Sequence, residues 1–140
     1  MRVKNYFLSP NGFHLLELLI AIAIIGLLAA LSFPVYSQYR VQERRLEAAE
    51  ILSKLAIAME EYHVAQNTYE DATLAALNFP ESIVDGRYQL AIPLATATDY
   101  RLTATPVGDQ AEKDTACATL ILSADGEKEI SGPGKVNDCW

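Results

Sequence analysis

The chain is apolar at almost every position from Phe13 to Phe33, with Glu17 as its one formal charge. Leu, Ile and Ala fill this run, apart from His14, Gly26 and Ser32. About 20 such residues make about 30 Å of helix, enough to cross a bilayer core. Beyond Arg40 the pattern becomes one-sided. Ala48, Leu52, Leu55, Met59 and Tyr62 follow one another at alternating steps of four and three, while Arg44, Glu47, Lys54 and Glu61 fall off that stripe. The pattern predicts one long helix from Phe13 to about Tyr62, apolar all round at first and then amphipathic. Gly26 and Pro34 are its expected points of bending or local melting.

After a polar connector, Ala65 to Gly86, the period falls to two. Tyr88, Leu90 and Ile92 share one face of a predicted strand over 87–92, and Tyr100, Leu102 and Ala104 share one face of another over 99–104. Ala118 to Leu122 is more apolar and reads as a central strand. Asp125-Gly126 signals a hairpin into a short fourth strand, Glu127 to Ile130. Within the connector, Asp71 to Leu77 reads as a short helical turn before Pro80. Helix first and antiparallel meander after is an α+β architecture, with the amphipathic half of the helix laid on a small sheet of about four strands.

Glu17 demands an explanation. A carboxylate at the centre of a bilayer costs about 2.5–3.5 kcal/mol on insertion scales, and an ionisable group inside a span is a candidate functional site. Met1 to Gly12 carries Arg2 and Lys4, has no apolar core of its own and ends in Ser9-Pro10-Asn11-Gly12. Positive charge before the span places the C-terminal bulk outside the cytoplasm.

The stretch Gly12-Phe13-His14-Leu15-Leu16-Glu17-Leu18 resembles the class III signal of type IV pilins. In that family a short basic leader ends in Gly, an aromatic follows, and Glu stands fifth in the mature chain. Pro34, Tyr36 and Tyr39 continue the likeness, and His14 replaces the usual Thr. Tyr100 to Pro106, Asp114 to Cys117, the Asp125-Gly126 turn and Asp138-Cys139-Trp140 resemble the PilE-type minor pilins of type IVa systems. The resemblance implies a pilin fold divided into a leader, 1–12, a membrane and assembly helix, 13–39, and a globular head, 40–140. It implies cleavage after Gly12 by the prepilin peptidase and N-methylation of the new Phe13 amine. Glu17 would then pair with that amine, in the same or a neighbouring subunit, with Pro34 shaping the assembly helix. The partners implied are other pilin subunits, the peptidase/N-methyltransferase and the inner membrane. The implied location is the inner membrane with a periplasmic C-terminus, then an extracellular pilus of a Gram-negative bacterium.

Cys117 and Cys139 are far from a CxxC spacing and have no His nearby. An extracytoplasmic head favours a disulfide between them, and pilins commonly staple their C-terminal region in this way. Closing a loop of about 23 residues is worth about 3 kcal/mol in the chain-entropy model. No zinc-protease, P-loop, GxSxG or GxGxxG motif occurs, and Glu60-Glu61-Tyr62-His63 is not HExxH. The sequence therefore points to a structural protein with no cofactor and no metal, which is a substrate of the peptidase rather than an enzyme.

Net charge narrows the partners. The chain carries 11 basic and 18 acidic residues, and losing Arg2 and Lys4 with the leader takes the sum from −7 to −9. Such acidity disfavours non-specific DNA binding. The readings that remain open are a minor pilin supporting pilus biogenesis, adhesion, twitching motility or DNA uptake, a type II secretion pseudopilin, and a pilus DNA receptor. The receptor would use Arg87, Arg101, Lys128 and Lys135. An ordinary signal cleaved near Ala29-Ala30-Leu31-Ser32, an uncleaved anchor and a merely protonated Glu17 are the plainer alternatives.

Overall fold

In the computed structural model the described residues run from His14 to Trp140, so the proposed processing site at Gly12 and Phe13 lies outside them. The chain divides into two compact units between Ser37 and Gln38. Helix α1 extends over Leu15–Gln66. It is helical throughout across Gly26 and Pro34, so the local melting expected there does not occur. Proline removes one backbone hydrogen bond, and the turns on either side keep theirs. Asn67, with φ of 58°, ends the helix in the left-handed region while its N–H bonds to the His63 carbonyl at 2.7 Å.

In the unit from Gln38 onward, the amphipathic part of α1 and an antiparallel sheet share one core. The strands are β1 (Ser82–Ile83), β2 (Tyr88–Ala95), β3 (Tyr100–Pro106), β4 (Leu120–Ser123) and β5 (Lys128–Ile130), in that spatial order. The expected stripe is the buried face of the helix: Ala48, Leu52, Leu55 and Met59 are fully enclosed, and Tyr62 packs at the margin. From the sheet, Tyr88, Leu90, Tyr100, Leu102, Ala104, Leu120 and Leu122 complete the core.

The sheet has five strands where the sequence suggested about four. The extra strand is the two-residue β1, too short to show alternation, which pairs Ser82 with Gln89 and Ile83 with Tyr88. As its apolar run suggested, β4 lies inside the sheet, paired with β3 on one side and β5 on the other, and β3 is the middle strand of the five. A register shift between Ala91 and Leu94 contains Pro93. This stretch of β2 extends past the short β1, and an irregular proline-containing edge resists unwanted strand pairing.

Two short helices were not apparent in the sequence, α2 (Asp109–Lys113) and α3 (Val136–Cys139). The α3 tail is held down. Cys117 and Cys139 form a disulfide, and Trp140 Nε1 donates to the Glu129 carbonyl at 3.1 Å. Gly132 and Gly134 let the returning chain run against the Ala116 backbone. A Cβ at Gly132 would lie 2.3 Å from the Ala116 carbonyl oxygen.

Leu52→Ala empties a fully enclosed position and is expected to cost about 2–5 kcal/mol, checked by urea denaturation of the chain in detergent. Reducing the disulfide is expected to lower stability by about 3 kcal/mol in the same assay; an unchanged midpoint would contradict the stapling role.

Candidate functional site

In the first unit the described residues form a helix segment whose apolar side chains are exposed. Apolar side chains from Leu15 to Phe33 are between 51 and 80% exposed, and none of the apolar window is buried within the chain. Such a contiguous apolar surface marks a membrane or protein contact. Glu17 sits in the first turn of α1, where the helix dipole favours a negative charge. His14 precedes the helix, and its carbonyl accepts the Glu17 and Leu18 amides at 2.9 and 3.2 Å. Pro34 lies within the helix and is exposed.

The second unit holds two groups of charged residues that the sequence did not bring together. In the first, Asp114 is 2% exposed. Its Oδ1 pairs with Arg45, and its Oδ2 accepts from the Tyr88 hydroxyl at 2.9 Å and from Gln110 Nε2 at 3.3 Å. Gln110 is wholly enclosed and also donates to the Val41 carbonyl at 3.0 Å. This network ties α1 to α2 and β2. Burial, with the Asp114 carboxylate beside it, pushes the Tyr88 phenol well above its ordinary value near 10.

In the second group, Asp109 meets three cations. Arg44 approaches Oδ2 at 3.3 Å, Lys113 lies 3.9 Å away, and Arg87 pairs with Oδ1. Arg40 pairs with Glu43 at 3.4 Å. Arg40, Glu43, Arg44 and Glu47 of α1 face Val84, Asp85 and Arg87 of the β1–β2 connection across a cleft of about 400 Å³. In sequence the run from Gln42 to Glu47 looks like a solvated helix face. Only the long-range pairing of Arg44 and Arg45 with acidic residues about 65 positions later separates them from their neighbours.

The four basic residues considered for DNA binding do not form one patch. Arg87 is engaged with Asp109, and Arg101 approaches Glu129 at 3.9 Å. Arg101 registers with Ser123, whereas Lys128 registers with the core residue Leu122, so the two point to opposite sides of the sheet. Lys128 instead covers the Trp140 ring, 5.0 Å from its centroid. Lys135 precedes α3 and is exposed.

A third cluster places the Tyr69 and Tyr100 hydroxyls on Glu60, with Tyr100 donating at 3.1 Å and Tyr69 at 3.0 Å. His63 stacks on Tyr69 at 4.3 Å. Burial first, and the Glu60 carboxylate second, raise both phenols above their usual range. Among the described residues no group of three or more His, Cys, Asp or Glu side chains is placed to hold a metal ion.

Arg45→Met leaves the enclosed Asp114 without its cation and is expected to cost about 3–5 kcal/mol by urea denaturation at pH 7. A loss below about 1 kcal/mol would mean that water reaches the carboxylate. The raised phenols set the alkaline limit. Tyr88 and Tyr100 keep their protons in the folded chain above pH 10, where the unfolded chain releases them. Their contribution is complete below that pH and is lost as pH rises further. Tyr88→Phe is expected to flatten this decline, checked by denaturation between pH 8 and about 11.

Comparison with known proteins places these features in a family. A family model described as "Type IV minor pilin ComP, DNA uptake sequence receptor" matches residues 34–121. The type IV major pilin protein PilE1 of Neisseria gonorrhoeae is 32% identical over 85 residues, covering 61% of this chain and 40% of that protein. The fimbrial protein EcpC of Eikenella corrodens is 32% identical over 113 residues, 80% of this chain and 72% of that one. The matched stretches span less than half the length of the gonococcal major pilins. Among solved structures, the non-core minor pilin PilV of Neisseria meningitidis overlaps with a TM-score of 0.47 at 20% identity, covering 64% of this chain and 87% of PilV. From Pro34 through the central strands to Ile121, the chain belongs to the type IV minor pilins, in the family described as ComP.

Proposed function

We propose that this minor pilin is a structural subunit of a type IV pilus, held in the inner membrane by its apolar helix and then transferred into the filament. The observation that carries this reading is the uncovered apolar run from Leu15 to Phe33, joined to a head of the minor-pilin family. Lipid satisfies that surface before assembly, and like helices satisfy it afterwards. Ala21, Ala23 and Gly26 favour close helix packing. The leader, 1–12, is removed after Gly12 by the prepilin peptidase, and the Phe13 amine is N-methylated. The assembly helix, 13–39, then carries an α-ammonium and the Glu17 carboxylate. Each is costly alone in lipid, and together they neutralise each other. Methylation keeps the amine charged, so the pairing survives it. The protein acts as the substrate of the processing enzyme and performs no catalysis of its own.

A second reading follows from the family description, in which ComP is a DNA uptake sequence receptor. It would have this subunit bind duplex DNA through its head. The pairing of Arg87 with Asp109 and the placement of Arg101 and Lys128 on opposite sides of the sheet, in an acidic chain, favour the assembly role as the conclusion.

Intact mass of the native chain taken from membranes tests the main reading. The expected mass is that of a chain beginning at Phe13, one methyl heavier and two hydrogens lighter than its sequence. A chain beginning at Met1 would overturn it. For the second reading, duplex DNA titrated against the full chain in detergent is expected to give no measurable binding at 150 mM salt. Binding whose logarithm falls linearly with the logarithm of salt, by about 0.9 per phosphate contact, would instead carry the receptor role.

A further inference from the structure

We propose that the cleft between α1 and the β1–β2 connection is a binding site for a zwitterionic phospholipid headgroup of the phosphoethanolamine class. The inference rests on the membrane-anchored reading above. Its volume, about 400 Å³, lies within the range of small-ligand sites. Its charged walls carry both signs, with Arg40, Arg44 and Arg87 against Glu43, Glu47 and Asp85. A purely anionic ligand would meet three carboxylates as well as three guanidinium groups. A phosphodiester linked to a primary ammonium matches both sets, phosphate oxygens to the arginines and ammonium hydrogens to the carboxylates.

The arginines keep donors to spare. In each recorded ion pair Arg40, Arg44 and Arg87 use one terminal nitrogen, Nη1. A guanidinium has five N–H donors in a planar fork suited to phosphate oxygens. Asp109 and Glu43 therefore orient the guanidinium groups without exhausting them. Arg44 is only 19% exposed, so its position is fixed by packing as well as by charge.

The facing wall is strained. Val84, Asp85 and Gly86 lie consecutively in the left-handed region, with φ of 55°, 51° and 76°. A β-branched residue there is an outlier, and such backbone strain concentrates at functional sites. The Val84 side chain is buried, so packing enforces the conformation and sets Asp85 and Arg87 at the cleft.

Sequence position selects lipid as the source of the ligand. Tyr36 and Tyr39 follow the apolar run, and Arg40 follows Phe33 by seven residues. Exposed tyrosines next to a span mark the lipid–water interface, where headgroups lie. The cleft's first arginine thus comes directly after the aromatic belt.

The test is native mass spectrometry of the full, processed chain released from detergent after incubation with phosphatidylethanolamine, phosphatidylglycerol or phosphatidylcholine of matched acyl chains, with duplex DNA as a separate arm. The expected result is at least about fivefold greater retention of phosphatidylethanolamine than of the other two. Arg40→Gln is expected to abolish the preference. Glu47→Gln is expected to shift it toward phosphatidylglycerol by weakening the ammonium side. Both residues are exposed helix positions outside the core, so these variants keep the fold. Equal retention of the three lipids, a preference that survives both variants, or phosphatidylglycerol retained most by the unaltered chain would overturn the proposal. So would duplex binding that Arg40→Gln removes in the absence of a lipid preference. A chain that begins at Phe13 yet shows no headgroup preference would remove this inference and leave the pilin reading intact.

Discussion

A helix that is apolar on every side cannot stand in water, and the rest of this chain is arranged around that constraint. Among the described residues nothing buries the apolar side chains from Leu15 to Phe33. The hydrophobic effect is worth about 25 cal/mol for each Å² removed from water. A run of this size is long and apolar enough to cross a membrane, and in the proposed function lipid and then other helices cover it. The same helix, further on, buries one stripe, Ala48 to Met59, and becomes the spine of the head. One continuous helix carries both patterns, apolar all round and then one-sided, without a break in its backbone.

The head needs more than that stripe to hold its geometry. Leu52, Leu55 and Leu102 supply burial, which is non-directional. Direction comes from the enclosed polar contacts. Arg45 and Val41 on the helix reach Asp114 and Gln110 next to α2, and Tyr88 brings in the sheet. The disulfide and the Trp140 contact then close the far end of the sheet onto the tail. Because Val41 and Arg45 directly follow Arg40 and Arg44 in α1, these contacts also fix which guanidinium groups face the cleft.

Much of this was legible in the sequence, for reasons tied to pattern. The stripe at Ala48, Leu52, Leu55 and Met59 reads directly as a buried helix face, and the alternation at Tyr88–Leu90 and Tyr100–Leu102 reads directly as half-buried strands. Two-residue β1 was not legible, since two residues carry no period. The apolar run of β4 reads directly as an interior strand, with Leu120 and Leu122 buried and the strand paired on both edges, whereas the order of the strands carries no mark in the sequence. The charged sites were hidden for a different reason. Arg44 and Arg45 look alike in the chain, and their partners Asp109 and Asp114 are distant in sequence, so only the fold reveals that Arg45 meets an enclosed carboxylate while Arg44 lines a cleft. The processing residues Gly12 and Phe13 and the roles given to Glu17 and Pro34 come from resemblance and remain proposals.

In the proposed function the apolar helix passes from lipid to filament, and Glu17 is proposed as the charged group that makes this transfer specific. The most direct measurement is quantitative mass spectrometry of this chain in fibres sheared from the cell surface, relative to the membrane fraction, for the unaltered protein and for Glu17→Val. The account predicts the unaltered chain in both fractions, and the variant processed but confined to membranes. Absence of the unaltered chain from sheared fibres, or equal entry of Glu17→Val into them, would contradict it.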